Sequence, residues 1–212
     1  MNLPNSLTLA RVAVTPPLFG LLFVDTFAAR LAAFVLFVLA GVSDVWDGYL
    51  ARRRGQITNF GKLADPIADK MLLVATFVPF YLLPRVRGHG VGAVPYWGPL
   101  PLWVLVVVFA REFVITAFRS YAARRGVVLP AGRVGKYKTT FQNLFSGGLI
   151  LWYALQTEAA RAGWSGGFWT WWQAVHGAFV AVTLAAAVGL TVVSLGVYVR
   201  RYRRWARTEV GA

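Results

Sequence analysis

Apolar residues run along this chain in long blocks rather than in the one-sided stripes of a soluble helix. Leu31–Val42, Met71–Leu83, Leu102–Ala110, Leu144–Leu155 and Ala178–Val199 are predominantly apolar in every direction around a helical axis. Such a helix belongs in a large core or in lipid, and a bilayer crossing takes about 20 residues of this kind. Extended through neighbouring Gly, Ser and Thr, the blocks predict six helical spans at 5–24, 30–51, 62–83, 101–122, 137–156 and 170–199. The last exceeds what a bilayer requires and is expected to tilt or project. Pro16-Pro17 is expected to break or kink the first. Segments 84–100 and 157–169 are Gly/Pro/Trp-rich loops too short to be domains, and no repeat or low-complexity linker divides the chain. The pattern predicts an all-α, polytopic integral membrane protein with six transmembrane helices, residues 1–212 forming one membrane domain.

Composition narrows this further. The chain is 58% hydrophobic and 14% charged, with a mean hydropathy of +0.57, outside the range of ordinary soluble domains. Its net charge of +14 is spread unevenly. Arg52, Arg53, Arg54 and Lys62 lie between spans two and three. Arg124, Arg125, Arg133, Lys136 and Lys138 lie between four and five, and Arg200, Arg201, Arg203, Arg204 and Arg207 follow six. The other connections carry only Arg30, Arg85, Arg87 and Arg161. This alternation is the positive-inside pattern with both termini cytoplasmic, and it reads as topology and attraction to anionic lipid rather than nucleic-acid binding. Tyr96, Trp97, Trp103, Trp164, Trp169, Trp171 and Trp172 fall near the outer ends as an aromatic belt, with Tyr202 and Trp205 marking the inner face. The first span lacks a basic n-region and a cleavage site, so it is expected to be retained. With no cysteine, disulfides and thiolate metal sites are excluded.

Against this background four of the eight acidic residues stand close together: Asp44, Asp47, Asp65 and Asp69. Carboxylates near a membrane are costly unless compensated. Residues three or four apart share a helix face, which pairs Asp44 with Asp47 and Asp65 with Asp69. Gly48 and Ala51 leave room beside the first pair. Residues 52–61 contain Arg52-Arg53-Arg54-Gly55 and Gly61, a turn between antiparallel helices that would bring the pairs face to face at the cytoplasmic end of the bundle. Pro66 suits a helix's first turn, so regular helix is expected only from about Asp65. Four clustered carboxylates repel one another, and two divalent cations would balance them. All-oxygen ligands favour Mg²⁺ or Mn²⁺, and two such ions can clamp a phosphoryl displacement. Arg52 offers a fixed fork for phosphate. The alternative is a set of charges solvated at helix ends or paired with nearby arginines.

The stretch Asp44-x-x-Asp47-Gly48-x-x-Ala51-Arg52, eight residues, Gly61-x-x-x-Asp65-x-x-x-Asp69 resembles, without departure, the signature of the CDP-alcohol phosphotransferase family. The resemblance implies a six-helix, usually dimeric membrane enzyme that joins an alcohol to the phosphatidyl or related group of a CDP-linked donor and releases CMP. It implies Asp44, Asp47 and Asp65 as metal ligands and Asp69 as both ligand and general base. Gly48, Arg52 and Thr58 fall at positions that bind the CDP portion in relatives, the lesser alternative for Thr58 being a turn residue that caps a helix.

Pro4–Arg11, Phe60–Lys70, Arg111 to Arg119 and Gly135–Thr139 resemble the bacterial branch that makes phosphatidylglycerol phosphate from CDP-diacylglycerol and sn-glycerol 3-phosphate at the cytoplasmic membrane. An anionic acceptor also suits the residues themselves. Arg111 lies too deep in span four to snorkel and needs a polar cavity or a carboxylate such as Glu112. Arg119 lies two turns on, and Lys136 and Lys138 open span five, where helix amides favour anions. All four are candidates for the acceptor phosphate, with ordinary positive-inside charge the alternative for the lysines. Asn5, Thr8 and Arg11 share one side of span one and would contact cytidine or cap the helix. His89 and His176 are read as non-catalytic. Other acceptors, inositol phosphate or phosphatidylglycerol, keep the same chemistry. A cation or proton transporter is a remoter alternative that predicts midplane acids and repeated halves.

Overall fold

The computed structural model describes residues 3–53, 59–88, 92–125 and 132–210. These form six helices: α1 (Leu3–Leu22), α2 (Phe27–Arg53), α3 (Asn59–Val86), α4 (Leu102–Arg124), α5 (Arg133–Ala162) and α6 (Gly167–Val210). The described residues contain no strand, only an isolated bridge between Val94 and Gly98. The helices coincide with the six predicted spans and extend most of them by a few residues, because helical hydrogen bonding continues past the apolar window. Among the described residues three helices are long and apolar enough to cross a membrane, over Phe27–Asp44, Ala64–Val86 and Gly167–Arg200. The other three carry internal polar or charged positions, Arg11 in α1, Arg111 and Glu112 in α4, Lys136 and Lys138 in α5, which lower their hydropathy.

Two expectations about proline require correction. α1 is helical without a break from Leu3 to Leu22, with Pro16 and Pro17 inside it. Both prolines lie on its exposed side, where their rings disturb no packed neighbour. α3 likewise starts at Asn59, not near Asp65, and passes through an exposed Pro66. A proline forfeits one backbone hydrogen bond and strains the preceding turn, but the packed remainder of each helix holds it in register.

The chain forms two compact units. The first comprises Met1–Leu100 and Ser146–Val180, hence α1, α2, α3, the second half of α5 and the start of α6. Here α1 packs against both α2 and α3. Thr8 bonds Asp65 near the starts of α1 and α3, and Arg87 reaches Asp25 and the Phe23 carbonyl near their ends. α1 and α3 therefore run in the same direction and α2 runs against them. Leu18, Leu22, Phe37, Leu72, Phe77, Phe80, Leu149 and Ile150 make up the buried core. α5 comes close to α2 and α6 at Gly147 and Gly148, where an added Cβ would stand 3.2 Å from Phe37 and 3.0 Å from Phe179.

At the far end of this unit the buried Tyr153 hydroxyl donates to the Gly92 carbonyl. Gly92 has φ +78, and a Cβ there would meet the Leu83 Cβ at 2.6 Å, so the loop requires glycine. Tyr153→Phe removes the donor and leaves a buried carbonyl short of a partner. It is expected to cost about 1–3 kcal/mol, read as a lower thermal midpoint in detergent.

The second unit comprises Pro101–Phe145 and Ala181–Ala212, hence α4, the first half of α5 and most of α6. Val104, Val108, Ile115, Ala122, Phe145, Leu184, Ala187 and Tyr198 are buried in it. Phe118 stacks on Tyr202 with ring centroids 4.6 Å apart.

Candidate active site

In the first unit the carboxylates of α2 and α3 are drawn to α1. On α1, Thr8, Arg11, Thr15, Leu18 and Leu22 recur at alternating steps of three and four, and all five are buried. That spacing defines one helix face, polar in its first half and apolar in its second. Thr8 Oγ1 donates to Asp65 Oδ1 at 2.9 Å. Arg11 Nη1 donates to Asp44 Oδ1 at 2.6 Å and to Asp69 Oδ1 at 3.2 Å. Thr15 Oγ1 caps the Arg11 carbonyl at 2.9 Å. An arginine buried in an apolar helix must be paired, and this one is paired with a carboxylate from each neighbouring helix. Asp44 and Asp69 remain 46% and 61% exposed, so both carboxylates reach the solvent boundary while the guanidinium that pairs them is buried.

The position of the acids along their helices follows from hydropathy. Asp44 closes the apolar window of α2, and Asp65 and Asp69 lie within the first residues of that of α3. In chains running in opposite directions these ends adjoin. α2 is helical through Arg53, so Asp47, Gly48 and Arg52 hold the helical positions their spacing predicts, one turn and more beyond Asp44. Their side chains lie outside the described residues, as do Thr58 and His89 entirely. Asn5 is half-buried, one turn before Thr8.

Two partly solvated carboxylates, Asp44 and Asp69, share a single guanidinium nitrogen, and their oxygens are of the type that hard cations take. Among the described residues no three acidic or histidine side chains enclose a common point; the Asp47 carboxylate is not among those residues.

The second unit places the candidate acceptor residues differently from one another. Arg111 and Lys138 are buried. Arg111 Nη1 donates to Glu112 Oε1 at 2.8 Å, Lys138 Nζ donates to the same oxygen, and Arg111 Nε donates to Ser194 Oγ at 2.9 Å. A Cβ on Gly135 would stand 3.3 Å from Arg111 Nη2, so glycine lets α5 pass close to the guanidinium. Arg119 and Lys136 are exposed. Glu112 thus holds two cations of the candidate set together across α4 and α5.

Two residues were missed as organisers. Arg11 could have been found from the three-four spacing of Thr8, Arg11 and Thr15, since a charge on the buried face of an apolar helix needs a partner elsewhere. For Glu112 the sequence indicates only the adjacent Arg111 as a partner; its bond to Lys138 depends on how α4 and α5 pack, which no local spacing reports. His176 sits in α6 with Nε2 2.9 Å from the Gly148 carbonyl and packs edge-on to Trp172 and Trp152, a structural position.

Comparison with known proteins adds a separate line of evidence. The family model described as CDP-alcohol phosphatidyltransferase matches residues 1–193. The chain is 37% identical over 150 residues to a CDP-diacylglycerol–glycerol-3-phosphate 3-phosphatidyltransferase of Rickettsia typhi, covering 71% of this chain and 76% of the relative. It is 34% identical over 163 residues to the protein of that name from Bacillus subtilis, covering 71% and 77%. A chloroplastic/mitochondrial relative from Arabidopsis thaliana bearing the same name, numbered 1, is 33% identical over 209 residues, 95% of this chain and 62% of that one.

Proposed function

The chain belongs to the CDP-alcohol phosphatidyltransferase family, and from that premise we propose that it transfers the phosphatidyl group of CDP-diacylglycerol to sn-glycerol 3-phosphate, giving phosphatidylglycerol phosphate and CMP. The observation that carries the reading is the convergence of Asp44 and Asp69 on Arg11, with Asp65 bonded one turn earlier on the same face of α1. The acceptor's 1-hydroxyl oxygen attacks the β-phosphorus of the donor, the bond from that phosphorus to the CMP oxygen breaks, and the hydroxyl proton passes to an Asp69 carboxylate oxygen. Asp44, Asp47, Asp65 and Asp69 would hold two divalent ions, Mg²⁺ or Mn²⁺, which when bound supply Lewis-acid stabilisation of charge on the phosphoryl oxygens. Gly48, Arg52 and Thr58 are assigned to the CDP portion with Asn5 and Thr8. Arg111, Arg119, Lys136 and Lys138 are assigned to the acceptor's phosphate, with Glu112 fixing the first and last of them.

The reading includes six spans in a bacterial cytoplasmic membrane, both termini and the aspartates on the cytoplasmic side, and a homodimer. Charge supports the orientation. The four arginines of the connections assigned outside all have internal partners: Arg30 with Asp25, Arg87 with Asp25 and the Phe23 carbonyl, Arg85 with the Tyr81 and Leu100 carbonyls, and Arg161 with Glu158. These four are also far fewer than the Lys and Arg of the connections assigned inside, which is the asymmetry that sets orientation.

The test is purified protein in detergent with CDP-diacylglycerol, Mg²⁺ and one acceptor at a time, following CMP. Glycerol 3-phosphate is expected to support release, inositol phosphate and phosphatidylglycerol to leave it at background, and EDTA to abolish it. Release driven by another acceptor alone would overturn the choice of acceptor, and none with any acceptor would overturn the enzyme reading.

A further inference from the structure

Arg11 is 1% exposed and lies on a helix that contributes no acidic residue of its own. Its Nη1 nevertheless serves Asp44 of α2 and Asp69 of α3 together. We infer that Arg11 is the built-in counter-charge of the aspartate centre and a positioning residue for the transfer: it offsets the repulsion between acids on two helices and sets the distance and direction of the Asp69 carboxylate relative to Asp44. The role in turnover rests on the proposed phosphatidyl transfer; the counter-charge role does not.

Three features carry the assignment. First, the geometry is shared. One nitrogen bonding two carboxylates from different helices ties their oxygens to a common point, whereas two separate cations would let α2 and α3 move independently. Second, the anchor is rigid. Thr15 holds the Arg11 carbonyl from one turn on, and Thr8, one turn before, ties α1 to Asp65. Third, the charge is one-sided. Arg11 is buried while its partners are 46% and 61% exposed, so the guanidinium approaches both carboxylates from the protein side. A planar guanidinium is always charged and has several donors in a fixed plane, so the centre carries a permanent positive charge.

The consequence is a measurable exchange between an internal and an external cation. With Arg11 neutralised, the acids depend on a divalent ion for charge compensation, so Mg²⁺ should stabilise the variant more than it stabilises the wild type. Removing an acid together with the arginine should restore part of what the arginine alone loses, because the loss comes from carboxylates left facing one another.

The test compares wild type, Arg11→Met, Asp44→Asn and the double variant by thermal unfolding in detergent, each in EDTA and with added Mg²⁺. Arg11→Met is expected to lower the midpoint in EDTA, the double variant to lie above the sum of the single effects, and the Mg²⁺-induced rise to be larger for Arg11→Met than for wild type. Arg11→Lys, which keeps charge and one donor, guards against a general folding defect. It should recover most of the EDTA midpoint and retain CMP release within about 10-fold, while Arg11→Met loses about 10²-fold in kcat, the scale of a displaced catalytic group, with little change in KM for glycerol 3-phosphate. Additive single effects together with equal Mg²⁺ shifts in wild type and Arg11→Met would overturn the counter-charge assignment, and an Arg11→Lys as impaired in turnover as Arg11→Met would overturn the positioning role. The thermal arm needs no substrate. Coupled stabilities in a protein that releases no CMP would sink the phosphatidyl-transfer reading and leave the counter-charge standing.

Discussion

Asp69→Asn is expected to lower CMP release by about 10³-fold, within the range that general acid–base catalysis contributes, while leaving the fold nearly unchanged. The two halves of that expectation have separate causes. The carboxamide keeps an oxygen in the place of Oδ1, so it can still accept from Arg11 Nη1, which bonds Asp69 at 3.2 Å. Asp44, the nearer partner at 2.6 Å, is untouched. Arg11 therefore stays paired and α1, α2 and α3 stay docked. What the amide cannot do is take a proton from the acceptor hydroxyl, and it is a poorer ligand for a hard ion. Single-turnover CMP release and a thermal melt on the same preparation measure both halves. Substantial release by a well-folded variant would remove Asp69 from the base role, and a collapsed midpoint would show that its charge, not its basicity, is what the protein needs.

Glu112→Gln should have the largest effect on stability. Glu112 Oε1 accepts from both Arg111 and Lys138, whose side chains are 8% and 3% exposed. Taking the charge from Glu112, itself 21% exposed, removes the carboxylate that both buried cations share, a loss of about 3–5 kcal/mol for a broken buried pair. The amide also brings its own N–H donors toward a site already rich in them. Arg111 retains Ser194, but a neutral hydroxyl does not offset charge. A lowered midpoint in detergent checks this. Combining Glu112→Gln with Lys138→Met should recover part of the loss, because the second change removes one of the stranded cations; strictly additive losses would mean that the three residues do not form one network.

The acids illustrate how far local spacing reaches. Helical periodicity brings Asp44 and Asp47 to one side of a helix, and Asp65 and Asp69 to one side of the next, whatever the rest of the fold does. Spacing likewise brings Thr8 and Arg11 onto one face of α1, with cytidine contact or helix capping as its reading. The fold adds what spacing does not report, the bonds of Arg11 to acids 33 and 58 residues away. The prolines mark the opposite failure. Pro16-Pro17 and Pro66 argued locally for interruption, but packing along the rest of α1 and α3 outweighs a few lost backbone bonds.

Six helices, their approximate ends, the membrane character and the aspartate signature were all legible in the order of residues, because each depends on hydropathy or helical period within one segment. The partners of Arg11, the sharing of Glu112 between Arg111 and Lys138, and the close passage of α5 at Gly147 and Gly148 depend on which faces of distant helices meet. That choice is made by the summed burial of side chains from several segments at once, so it belongs to the folded molecule.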